Sequence, residues 1–97
     1  MPKYRKKPVV IEAFQMTKEA RWDNKDWPNW LNKAWNETKG WPGAFWCDVE
    51  DEDLLQIATL EGNHTVSYND FIIQGVKGEI YPCKPDIFDA TYELVEE

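Results

Sequence analysis

No stretch of this 97-residue chain is long and apolar enough to span a bilayer, which removes a helical membrane anchor from consideration. Histidine is nearly absent, with His64 alone, and the two cysteines, Cys47 and Cys83, form no C-x-x-C pair. That excludes a zinc site, and no cofactor or metal is expected. No glycine-rich segment offers an oxyanion hole, and no strained nucleophile turn precedes Cys83. Internal repeats and low-complexity linkers are missing too. A single domain over 1–97 is expected.

What is abundant is acid and tryptophan. The net charge is −7, and four of the eleven basic residues fall in the first seven positions, as Lys3, Arg5, Lys6 and Lys7. The other ninety residues therefore carry seven basic against eighteen acidic groups. Such a body repels phosphate backbones and anionic lipid surfaces, so nucleic-acid and membrane partners are disfavoured and a basic protein partner is favoured. Residues 1–7 read as a flexible basic arm. "PVVIEAF" follows them, but Glu12 interrupts the apolar run and no small-residue cleavage site comes after it. The protein is expected in the cytoplasm, with both cysteines as free thiols.

The order of elements predicts an α+β class. It is a small, mostly antiparallel β-sheet of about five to six strands, curled or barrel-like, with one main amphipathic helix packed on it. "PVVIEAFQM" (8–16) reads as a strand inside that sheet, opened by Pro8 and packed on both faces. Residues 17–25 read as a loop. In "DWPNWLNKAWNETKG", Asp26 is the expected cap and Pro28 lies in the first turn. Trp27, Trp30, Leu31, Ala34 and Trp35 fall on one face, and Gly40 ends the helix. Short strands follow in "AFWCDV" (44–49) and "LLQIATL" (54–60). The "EGNH" turn then leads into a return strand, with Gly62 and Asn63 suited to positive φ. "FIIQGV" and "GEIYPC" flank Lys77-Gly78. "KPDIFDATY" makes a helical turn opened by Pro85, and "TYELV" a last strand.

Several groups could carry chemistry. Trp22 and Trp41 stand in loop-like segments with no helical periodicity, which makes them candidates for exposed contacts. "DVEDED" (48–53) supplies oxygen ligands but lacks the glycine and distal Glu of a calcium loop, so a solvated acidic turn is expected. In "GEIYPCKPDIF", strand alternation puts Val76, Gly78, Ile80 and Pro82 on the inward face and Lys77, Glu79, Tyr81 and Cys83 on the other. Lys84 beside Cys83 would lower the thiol's pKa, giving a reactive-cysteine reading in which His64 is a base and Asp86 its orienter. The competing reading is a small structural cysteine, with Pro82 and Pro85 terminating strand pairing. The candidate binding residues are thus Trp22, Trp41, Lys77, Glu79, Tyr81, Cys83 and Lys84.

The stretches "KYRKKPVVIEAFQ" (3–15) and "TLEGNHTVSYNDFIIQGVKGEIYPCKPDIFDATYE" (59–93) resemble a family of small phage and prophage proteins called PGDYG after its central turn. The Trp-rich segment 20–50 lies outside the resemblance. Where the family reads Pro-Gly-Asp-Tyr, this chain has Tyr68, Asn69, Asp70 and Phe71, and Asn69 can take the positive φ of the replaced glycine. The resemblance implies a tailed-phage or prophage source and expression in a bacterial host, and carries no established activity or catalytic residue. The expected role is a non-catalytic protein-interaction module acting on a host or phage protein. The alternatives are a thiol-dependent protein using Cys83 and a small-ligand binder with a pocket lined by Trp30 and Trp35.

Overall fold

A computed structural model describes residues 1–5, 9–24 and 26–95. Lys6, Lys7 and Pro8 lie outside them, and with them the expectation that Pro8 opens the first strand.

The β-branched run at the start pairs later than its composition predicts. β1 covers Glu12–Gln15 and is the outer strand of its sheet, not an inner one. Its neighbour β5 (Phe71–Gln74) reaches only as far as Glu12, because the turn at Gly75 begins there. Val9 and Val10 are left exposed, 52% and 76%. The loop expected over 17–25 contains a helix. Thr17 accepts a hydrogen bond from the Ala20 amide (3.1 Å), α1 runs Lys18–Asp23, and Asn24 closes it in the left-handed region. One Thr cap and one Asn C-cap are enough to fix so short a helix.

α2 spans Asn29–Trp35. Asp26 does not cap it: its φ is +64°, and Pro28 is the extended N-cap residue, whose carbonyl accepts from Leu31 and Asn32. The helix stops well before Gly40 because Asn36 bonds back to the Asn32 carbonyl with its side chain (2.9 Å). The predicted apolar stripe is nevertheless the packing face. Trp27, Leu31 and Ala34 are buried, with Trp30 and Trp35 packed against the same core. Trp27, Trp35 and Phe45 meet at tilted and edge-on angles, with centroids 5.3–5.7 Å apart. The Trp27 indole donates to the Ala20 carbonyl (2.8 Å) and so ties α1 to the core.

The remaining strands are β2 (Phe45–Cys47), β3 (Leu55–Thr59), β4 (Gly62–Val66) and β6 (Ile80–Cys83), followed by α3 (Pro85–Thr91). The class is α+β, built from two three-stranded antiparallel sheets, β1-β5-β6 and β2-β3-β4, rather than one continuous layer. Among the described residues there are three short helices: α2, expected as the main one; α3, where a helical turn was expected; and α1, where a loop was. Between the sheets β6 touches β3 and β4, and α2 lies on β2. Met16, Phe45, Leu55, Ile57, Val66 and Ile72 fill the shared core.

Two further expectations change. Pro82 does not end pairing: Ile72 lies opposite it, and Cys83 still pairs with Phe71. Gly75 and Glu79 form a hydrogen-bonded pair, so position 82 turns its nitrogen away from β5, where a proline removes no ladder bond. Pro85 opens α3, where a helical turn was expected. Residues 93–95 form no strand, and Leu94 and Val95 are exposed. The Phe88 ring stacks on Phe71 (3.8 Å, 4°), which fastens α3 to the outer face of the first sheet.

Candidate interaction surface

Three turns meet at one end of the molecule. The β3–β4 hairpin closes over Leu60-Glu61, with Thr59 Oγ1 accepting from the Glu61 amide (3.1 Å) and donating to the Gly62 carbonyl (2.9 Å). Gly62 takes φ +119°, and the tight loop pushes Leu60 outward. Residues 40–43 run beside it, held by Gly43 N–H to the Ala58 carbonyl (2.8 Å). The third turn spans Gly75–Glu79, where the Glu79 carboxylate folds back to accept from the Lys77 amide (3.0 Å). It lies directly over Gly75, in space a Cβ would fill.

Between the turns lies a hollow of about 700 Å³ with an apolar floor that includes Ala58, Ile80 and Pro82. His64, Glu61, Lys77, Glu79 and Tyr81 also line it. Leu60 (93% exposed) forms part of its wall. Trp41 (65%) adjoins Pro42 of the lining, and Val76 (68%) adjoins Lys77.

Of the residues picked out in the sequence, Lys77, Glu79 and Tyr81 are brought together here, with Trp41 next to them. The alternation predicted for β6 puts Ile80 inside, but Val76 is not inward, because it belongs to the turn and not to the strand. His64 is not in a turn either. It sits on β4 opposite Ile57, and Asn63 is an ordinary strand residue. Leu60 and Val76 are the surface residues that sequence reasoning missed. The Glu61-Gly62 and Lys77-Gly78 turn signals were the clue that their neighbours would face solvent.

Cys83 and Lys84 stand apart, at the far end of β6. The Lys84 ammonium is held by the buried Asp70 carboxylate (3.0 Å), which also accepts from the Ser67 amide (2.9 Å). The expectation that Lys84 lowers the Cys83 pKa is therefore overturned. Burial pushes the thiol up, and the negative charges of Asp70 and Asp86 push it further. Among the described residues no hydrogen bond joins His64 to Cys83 or Asp86. Tyr81, beside Tyr92 of α3, is pushed up to about 12, first by burial and then by that neighbouring phenol.

Trp22 belongs to the opposite end of the second sheet. Its indole donates to the Tyr68 hydroxyl (2.9 Å), which donates to Asp53 (2.8 Å). The Arg21 guanidinium lies over the Trp22 and Trp35 rings, 4.6 and 5.2 Å from their centroids. The acidic loop 48–53 uses its own carboxylates as turn caps. Asp48 accepts from the Glu50 and Asp51 amides and from Gln56, which holds it below the ordinary carboxylate value. Trp30 and Trp35 line none of the three hollows described, since their rings fill the seam between helix and sheet where a ligand pocket was expected. No helix among the described residues is long and apolar enough to cross a membrane. No family model, curated protein or solved structure matches the chain.

Proposed function

We propose that this protein is a non-catalytic interaction module that docks a partner protein on the face formed by residues 41–43, 60–61 and 76–79. The observation that carries the reading is the exposed Leu60 in the wall of a hollow lined also by Glu61, Lys77 and Glu79, with the exposed Trp41 and Val76 next in sequence to its lining residues Pro42 and Lys77. Large apolar side chains grouped inside a charged rim are the anatomy of a docking patch. An exposed Trp beside such a patch is the kind of side chain that contributes about 2 kcal/mol or more when a partner covers it.

The partner is a host or phage protein, and the acidic body favours a basic one. A phage or prophage source and action in the host cytoplasm belong to the same reading, supported by the residue strings at both ends of the chain. The raised Cys83 pKa leaves a thiol-dependent activity without a supporting observation.

The test is affinity capture from the bacterial host with the tagged wild type and with Trp41→Ala and Leu60→Asp, at low and high salt. Near-ultraviolet circular dichroism confirms that each variant is folded. The wild type should retain a protein that both variants lose. Identical co-purifying proteins for all three would overturn the assignment of this face.

A further inference from the structure

We infer that β1 is a self-pairing edge. Two copies join antiparallel through it, Ile11 opposite Ile11 of the second copy, and each basic N-terminal arm lies along an acidic hollow of the other copy.

The edge is open and its polarity is fixed. The Met16 amide donates to the Asp70 carbonyl (2.9 Å), and the register runs Phe14 to Ile72 and Glu12 to Gln74. Even-numbered residues of β1 therefore turn their amides and carbonyls toward β5, and odd-numbered ones turn theirs outward. Among the described residues no backbone hydrogen bond from another element reaches the outer side of residues 9–13. Between Val9 and Gln15 there is no proline and no lysine to block pairing, and Glu12 is the one charged side chain in that stretch. Val9 and Val10 are exposed although valine favours sheet, and with Leu94 and Val95 they border an apolar hollow of about 360 Å³.

The occupant follows from charge. At the C-terminal end of β1 lies a hollow of about 290 Å³ whose lining includes Glu19, Asp23 and Asp26 and, among the described residues, no basic side chain. Arg21 of the same helix is stacked on Trp22 and Trp35 instead. At the N-terminal end of β1 the chain carries Lys3 and Arg5, both exposed. Antiparallel pairing exchanges the two ends. With Ile11 on the two-fold axis, the end of each copy that carries Lys3 and Arg5 lies toward the end of the other that carries Glu19, Asp23 and Asp26. The symmetry makes both approaches at once. The same register sets Val9 against Ala13 and Val10 against Glu12. A shift that centres on Glu12 would oppose two carboxylates, and it would call on backbone groups already bonded to β5.

The experiment uses the full chain. Sedimentation equilibrium from micromolar to millimolar concentration should show a species of twice 11.5 kDa, weakened by salt. Backbone amide exchange of Val9, Ile11 and Ala13 should slow as concentration rises, while Val10 and Glu12 stay unchanged. Ile11→Pro removes only an outward N–H and should give a folded monomer. Lys3→Glu with Arg5→Glu should raise the dissociation constant about tenfold or more, and Glu19→Lys with Asp23→Lys in the same chain should recover much of the loss. A monomer at every concentration overturns the inference. So does a dimer whose odd-numbered amides are no better protected than when dilute. If Ile11→Pro fails to fold, the wild-type exchange pattern decides alone.

Discussion

Asp70→Ala is expected to destabilise the protein by about 2–4 kcal/mol. Asp70 is the buried charged residue at the junction of the two sheets, 3% exposed. Its carboxylate accepts from the Ser67 amide (2.9 Å), and a hydrogen bond to a charged group is worth about 1.5–3 kcal/mol. Its second bond, to Lys84, is an ion pair whose cation is 56% exposed, so solvent screening limits that share to about 0.2–1 kcal/mol. Asp70→Asn keeps an acceptor for Ser67 and should lose about half as much. Lys84→Met should cost about 1 kcal/mol, because the ammonium it removes is more than half exposed and its share of the pair is screened. Urea titration provides the assay, with the midpoint moving at an unchanged slope. The same series reports on chemistry. Asp70 helps hold the Cys83 pKa up, so Asp70→Asn should lower it, read from the pH dependence of iodoacetamide alkylation. The reasoning fails if Lys84→Met costs as much as Asp70→Ala, since the ion pair and not the turn cap would then dominate. It also fails if the thiol titrates identically in Asp70→Asn.

Tyr81 titrates at about 12 in the folded chain against 10.0 ordinarily. The unfolded chain releases this proton first, so stability is full below pH 10.0 and declines as pH rises toward 12; Tyr81→Phe should flatten that part of the urea-midpoint profile. Asp48 shifts the other way. Its folded carboxylate ionises below 3.8, so its stabilising share is present above that value and fades as pH falls through the lowered one; Asp48→Asn should make acid unfolding shallower there. Phe88→Ala removes the ring stacked on Phe71 and should cost about 1–3 kcal/mol, with faster exchange of the Tyr92 amide if α3 depends on that contact. Unchanged exchange would show that α3 is held by other means.

The class, the core face of α2 and most turn positions were readable because each rests on a local rule. Trp27, Leu31 and Ala34 are buried as their spacing demands, and Asn69 takes the positive φ expected of it, +75°. What was not readable depends on partners distant in sequence. Val9 and Val10 have strand chemistry, but only the length of β5 decides whether they pair. α1 was hidden because a six-residue helix lacking buried residues shows no apolar period, leaving only the caps at Thr17 and Asn24 as a signal. At the interaction surface Lys77, Glu79 and Tyr81 were visible as one stretch. That Trp41 and Leu60 join them is a fact of tertiary structure, as is the distance of Cys83 from them. The buried role of Asp70 was likewise invisible, since nothing local reveals that its carboxylate holds Lys84.

Pro82 offers no donor on the side of β6 that faces away from β5, so the first sheet is poorly equipped to recruit a strand there. The inferred pairing through β1 would use up the better equipped flank of the first sheet in both molecules, leaving that sheet no second edge of equal quality from which to add another copy.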